Sequence, residues 1–430
     1  MTTSGGRVKQ HNGSVAGRQR ASWSRAVGVV AMVLVFASIY GSPVEATKRR
    51  VTVRSNGSTT TTAKPTTTAG SSTSAPTSTS NAAAPSNAGQ LLTSEPLAGA
   101  PKTSNAYRVR YRSVSPAGLP IEVTGLAYVP VGTAPKGGWP VLSYAHGTVG
   151  LADRCTPSKA VSDLENSVAS TFNALGMAVV ASDYEGLGTP GRHPYLSGVS
   201  EGRGVIDIVR AARSIPGVKL SSTFVVWGHS QGGHAALFAG ELASSWAPEL
   251  KLAGVVAGAP PSQLTNVAES IENSPFRGYF FMVAAGLNAA DPSLDLSLAL
   301  TPRALSILPV VDTGCNAEVF KAFSADPFDA LVKRQALTED PWRKALAANE
   351  PGQVKTPAPI LIIHGDKDEQ IPVGTSAVLK KKLCNLGDSV DRKVYAGQDH
   401  GGAALASIFE VGLWLTLRVQ GVPAQNRCNA

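Results

Sequence analysis

The sequence predicts an α/β fold: a mostly parallel central sheet flanked by helices, with a helical insertion late in the chain. Three observations predict it. From "WPVLSYAHG" (139–147) onward, strand-like runs alternate with helical stretches, as a parallel sheet with crossover helices requires. Those later runs are continuously apolar, as in strands buried on both faces. Between about 261 and 350 the alternation stops, and two apolar stretches follow with no strand after either.

The N-terminal part stands apart. Arg7, Lys9, Arg18, Arg20 and Arg25 precede the apolar run "AVGVVAMVLVFASIY" (26–40), and Val44 and Ala46 are small residues at peptidase-readable positions. Residues 1–46 therefore read as an export signal cleaved after Ala46, with an uncleaved membrane anchor as the competing reading. Residues 47–95 are dominated by Ser, Thr, Ala and Pro and read as a disordered linker. The formal charge of +9 belongs to this region: residues 1–92 carry ten Lys/Arg and one acid, leaving 29 of each sign in 93–430. A neutral folded part argues against a nucleic-acid partner.

In residues 96–430 the expected strands are 106–114, 121–130, 139–147, 177–184, 223–230, 252–260, 358–365 and 392–397. The first two alternate apolar and polar residues and read as an antiparallel edge hairpin. Helices are expected near 161–174, 199–213, 231–246, 373–386 and 401–419. In the insertion, "FRGYFFMVAAGLNAA" (276–290) and "LDLSLALTPRALSILPVV" (294–311) read either as a packed helical subdomain or as a cap with an apolar side toward a substrate.

Four cysteines, Cys155, Cys315, Cys384 and Cys428, are widely spaced, without Cys-x-x-Cys and without histidine at ligand spacing. That excludes an obvious metal site and, for an exported protein, suggests two disulfides. Of three pairings, Cys155–Cys315 with Cys384–Cys428 is favoured, the second stapling the last helix to the body.

Gly-x-Ser-x-Gly occurs twice, at Gly198–Gly202 and at Gly228–Gly232. Ser200 follows a turn-rich loop and opens a helical stretch, so it reads as a helix N-cap. Ser230 follows the strand "TFVVW" and precedes the helix "GGHAALFAGELA". A strand-to-helix turn flanked by glycines forces a serine out at the carboxyl edge of the sheet. A nucleophilic serine needs a base, and the base needs an acid. His400, in the Gly-flanked loop "GQDHGGA", is the suitably placed downstream histidine; His364 lies before the candidate acids. In "IIHGDKDEQIP" Asp368 is chosen as the acid, with Asp366 as fallback, and Asp399 reads as a helix cap. The N–H groups of Gln231 and Thr148 are the expected oxyanion donors.

With these motifs in hand, the chain resembles the α/β-hydrolases, and within them the secretory lipase family of fungi and actinobacteria. "AHGTVGLADRCTPS", "DYEGLGTPGRHPYLSGVSEGRGVIDIVRAAR", "GHSQGGHAA", "HGDKDEQIP" and "DHGGA" carry the resemblance, over about 100–425. The resemblance implies a Ser230–Asp368–His400 triad, a helical cap and acyl ester hydrolysis with no cofactor, and it supports the cysteine pairing above. The first oxyanion residue varies in the family. Glu185, Asp207 and Arg210 read as structural, in a buried ion pair or caps. The functional expectation is an exported lipase acting on acyl glycerols at a lipid–water interface, with no obligate protein partner. An acyltransferase, a polysaccharide-ester esterase and a non-enzymatic surface-binding module are the rivals.

Overall fold

The computed structural model describes residues 84–429. The expected export signal, residues 1–46, lies outside the described residues, as does the linker up to residue 83. A nine-stranded sheet runs through the protein in the order β1-β2-β3-β5-β4-β6-β7-β8-β9. Its strands are β1 (Leu91–Pro96), β2 (Ser104–Val114), β3 (Pro120–Pro130), β4 (Trp139–Ala145), β5 (Ala178–Ser182), β6 (Leu220–His229), β7 (Lys251–Gly258), β8 (Ile360–Gly365) and β9 (Val390–Tyr395). Strands β1, β2, β3 and β5 pair antiparallel, and β5-β4-β6-β7-β8-β9 pair parallel.

The edge corrects one expectation. The linker was expected to extend to residue 95, but Leu91–Pro96 is the outermost strand, and Gly89 N–H already donates to Arg112 O at 2.8 Å. "LLTSEP" has too little apolar periodicity to announce itself; its ladder bonds to β2 hold it.

Helices α1 (Asp163–Ala174), α2 (Gly198–Arg213) and α3 (Gln231–Trp246) connect β4 to β7. The buried strand residues Val141, Val180, Phe224, Val226, Val255 and Ile362 join α2 and α3 residues in one core, and Leu142, Val225, Val256, Leu361 and Ile363 build a second core on the other face. This two-sided burial is why the central strands read as unbroken apolar runs.

Between β7 and β8 the chain is helical, with α4 (Leu264–Ile271), α5 (Gly278–Ala290), α6 (Asn316–Ser324), α7 (Trp342–Ala348) and shorter turns between them. The insertion has its own core, with Phe281 stacked on Phe323 at 3.7 Å and Met282, Leu300 and Val319 around them. It is anchored at several points. The Glu350 carboxylate accepts the N–H groups of Gln263 (2.7 Å) and Leu264, closing the two ends of the insertion on each other. Asn349 Oδ1 accepts from Gly198 N, and Arg192 grips Asp312 through two 2.7 Å bonds. The Cys155–Cys315 disulfide fastens α6 to the loop after β4.

Two helices complete the chain, α8 (Val373–Asn385) and α9 (His400–Val419). Cys384 and Cys428 are joined, so both favoured cysteine pairs are present. This second disulfide ties the tail beyond α9 to α8, and Arg427 N–H continues that tail along β9 by donating to Val390 O. The bond closes a 44-residue separation. Replacing both cysteines by serine is expected to lower stability by about 4 kcal/mol, read as a fall in the urea midpoint with a steeper slope, since the uncrosslinked chain unfolds further.

Candidate active site

β6 ends at His229 and α3 begins at Gln231, so Ser230 alone makes the turn, at φ 59° and ψ −125°. A non-glycine residue adopts such a conformation only when its surroundings enforce it. Here Ser230 N–H donates to Gly258 O at 2.8 Å, and its carbonyl accepts from Gly233 N and His234 N. The flanking glycines are sterically required: a Cβ on Gly232 would lie 1.9 Å from Ala145 O, and one on Gly228 would lie 2.1 Å from Gly232 O. Gly232→Ala is therefore expected to cost more than about 4 kcal/mol, and a melting temperature near that of the wild type would contradict this account.

His400 opens α9, and Asp399 caps that helix by accepting from Gly402 N at 2.6 Å. His400 Nδ1 is 2.7 Å from Asp368 Oδ2, with the carboxylate fully buried. The other carboxylate oxygen, Oδ1, accepts the N–H groups of Gln370 (2.9 Å) and Ile371 (2.8 Å). Burial works to raise the Asp368 pKa, but the bonds from His364, His400 and Ile371 outweigh it and hold the carboxyl well below its usual range. Asp366 instead accepts from Gly397 N at 2.6 Å and stays in the turn.

Sequence reasoning missed two features here. His364 Nε2 lies 3.2 Å from Asp368 Oδ2 and 3.0 Å from Ile371 O, so the acid faces two imidazoles; the signal was a strand-end histidine four residues before it. His229 packs its ring 4.7 Å from that of His400, and burial together with this neighbour pushes its pKa down to about 3, keeping it neutral.

Ser200 is corrected. The N-cap of α2 is Ser197, and Ser200 sits one turn inside, its hydroxyl bonded to Glu185. The reason is that the chain turns into the helix through "HPYLSG", earlier than the pattern suggested. Gly198 and Gly202 of the second motif make room for α3, where added Cβ atoms would meet Phe238 at 2.3 Å and 2.9 Å. Glu201 between them is wholly buried behind the Ser230 turn. Its Oε1 accepts from Gln231 Nε2 (2.8 Å) and Leu196 N (3.1 Å), and its Oε2 lies 2.8 Å from His234 Nδ1. Burial works to lower the His234 pKa, but Glu201 overcomes it and the net shift is upward. Asp207 and Arg210 form a 3.0 Å ion pair, as expected of structural residues.

Ser230 lines two cavities. The inner one, about 60 Å³, lies against the insertion and is walled by apolar side chains including Leu264, Val267, Val283, Leu337 and Trp342. The outer one, about 230 Å³, brings Ser230 together with His400, His229, Gly147, Thr148 and Gln370. Of the expected oxyanion residues, Thr148 lines this outer space and Gln231 follows Ser230 in the chain. Gln231 is the first residue of α3, where helix N–H groups have no intrahelical acceptor. Thr148 bonds Tyr195 Oη through its hydroxyl at 2.8 Å, and neighbouring Gly147 lies beside Ser230, where an added Cβ would be at ordinary contact distance, 3.9 Å, from the serine Cβ. A larger cleft of about 1220 Å³, lined by residues 84–90, Lys219 and Trp246, lies at the amino ends of the parallel strands, away from Ser230. Ligands of open α/β sheets bind at the carboxyl ends, which favours the two smaller cavities.

The family model described as secretory lipase matches residues 159–427. The chain belongs to the secretory lipase family. This family member is 30% identical to "Secreted triacylglycerol lipase LIP2" of Malassezia globosa over 303 residues, 64% of this chain and 65% of that one. It thus spans just under two thirds of that relative's length. It is also 30% identical over 206 residues to "Probable inactive lipase MT1628" of Mycobacterium tuberculosis, 45% of either chain. Among solved structures, Candida antarctica lipase A in its closed state superposes with a TM-score of 0.66 at 23% identity, over 81% of this chain and 86% of that one. The fold is that of the α/β-hydrolases.

Proposed function

We propose that this secretory lipase family member is an exported serine carboxylic-ester hydrolase that acts on acyl glycerol esters. One observation carries the reading: the strained Ser230 shares a cavity with His400, whose Nδ1 is held 2.7 Å from the buried Asp368. His400 Nε2 takes the Ser230 proton as Oγ attacks the ester carbonyl, and Asp368 holds the imidazole in the tautomer this needs. The N–H groups of Gln231 and Thr148 stabilise the oxyanion, each contributing about 3 kcal/mol. The alcohol leaves with the proton from His400. Water then attacks the acyl-enzyme, losing its proton to His400, and the acid leaves as Ser230 is restored.

The inner apolar cavity suits an acyl chain, with the insertion as the cap over it, and the outer cavity suits the alcohol. The two disulfides and the family's secreted members support export, with cleavage after Ala46 as the proposed processing step. Because one relative bears the name of an inactive lipase, turnover itself has to be measured. The full chain is expected to hydrolyse p-nitrophenyl esters and to be labelled by a fluorophosphonate. Absence of both, across short and long acyl chains, would overturn the reading.

A further inference from the structure

Tyr279 is the side chain that, with Ser230, lines both cavities. It comes from α5 of the insertion, and its hydroxyl donates to Gln370 Oε1 at 2.9 Å, on the loop that carries Asp368. The bond therefore runs from the insertion to the body beside the cavities that Ser230 lines. Both ends are set before any substrate arrives. The Tyr279 ring is stacked parallel to Phe276 and lies edge-on to Phe320 at 4.9 Å, and Phe320 sits on α6, the helix that Cys315 of the first disulfide precedes. Burial pushes the phenol well above its usual range, so it remains a donor.

Gln370 is oriented from its other side. Its Nε2 donates to Glu369 Oε1 at 3.1 Å, which leaves Oε1 to accept from Tyr279. Glu369 Oε2 in turn accepts the His400 backbone N–H at 3.3 Å, and Gln370 N–H binds Asp368 Oδ1. The wall between the cavities is thus tied to the loops of both His400 and Asp368.

The inner cavity is walled almost entirely by apolar side chains and measures only about 60 Å³. So small an apolar space leaves little width beside the serine. A single chain of methylenes fits it; a branch beside the carbonyl would press on Tyr279.

We propose that the Tyr279–Gln370 hydrogen bond is a latch that partitions the space above Ser230 and restricts the acyl group to unbranched chains. The proposal rests on the reading of Ser230 as the residue that accepts the acyl group. The test compares two isomeric esters in the full chain, p-nitrophenyl octanoate and p-nitrophenyl 2-ethylhexanoate, by their kcat/KM. Wild type is expected to prefer the linear ester. Tyr279→Ala is expected to lower that preference by about tenfold or more, chiefly through a lower KM for the branched ester. Tyr279→Phe and Gln370→Ala keep the ring but lose the bond, and are expected to lower it by about threefold. A preference unchanged within about twofold in all variants that fold would overturn the latch, as would an equal fall in kcat for both esters, which marks a role in holding His400 alone. If Tyr279→Ala does not fold, the other two variants decide. Failure of wild type to turn over either ester overturns the Ser230 reading and the latch together, whereas turnover with an unchanged preference overturns the latch alone.

Discussion

Ser230→Ala is expected to lower kcat on p-nitrophenyl esters about a millionfold, with the melting temperature held or raised. The size of the effect follows from what the hydroxyl alone supplies: without Oγ there is no acyl-enzyme, and His400 has no proton to take. What remains comes from binding and the oxyanion donors. Stability is not at risk, because the turn is held by main-chain bonds from Ser230 and by the missing Cβ atoms of Gly228 and Gly232. Relief of strain at φ 59° is limited, since alanine must adopt the same angle. Ser200→Ala is the informative contrast. It removes a bond to Glu185 and is expected to cost about 1 kcal/mol of stability while turnover stays within a few-fold. A large loss of turnover in Ser200→Ala with none in Ser230→Ala would reverse the choice of nucleophile.

Asp368→Asn is expected to lower kcat about ten-thousandfold at neutral pH, with KM little changed. The amide can present its NH2 to His400 Nδ1 and so favours the tautomer that cannot accept the serine proton. The pH dependence follows from the depressed pKa of Asp368. A carboxyl whose folded pKa lies below its unfolded value adds stability that is fully present above about pH 4 and is lost as pH falls through the folded value. Thermal melts of wild type should therefore lose this contribution only below about pH 4, and Asp368→Asn should lack that component of the acid destabilisation. It also follows that Asp368 stays ionised at neutral pH, where the esters are assayed.

Much of this architecture was legible in the sequence because its signals are local or one-dimensional. Runs such as "TFVVW" and "ILIIHG" are apolar on every residue since both faces of β6 and β8 are covered. The glycines around Ser230 are readable because backbone approach leaves no alternative side chain, and the cysteines because covalent chemistry leaves few partners. The placement of Ser230, Asp368 and His400 in the loops after β6, β8 and β9 could be read from chain order.

Other features could not be read, since they are made by residues distant in the chain. β1 reads as linker because an edge strand is held by ladder bonds to β2 rather than by apolar content. Glu201 sits in a motif that looked like a second nucleophile turn, yet folding places it behind the first, against Gln231 and His234. Tyr279 as the wall between two cavities arises only when the insertion and the β8 loop are packed together. Sequence alone was enough for the fold class and the serine turn, because these follow from periodicity and backbone sterics. The division of space around Ser230 was left to tertiary structure, because a cavity is bounded by side chains whose spacing in the chain carries no record of their distance.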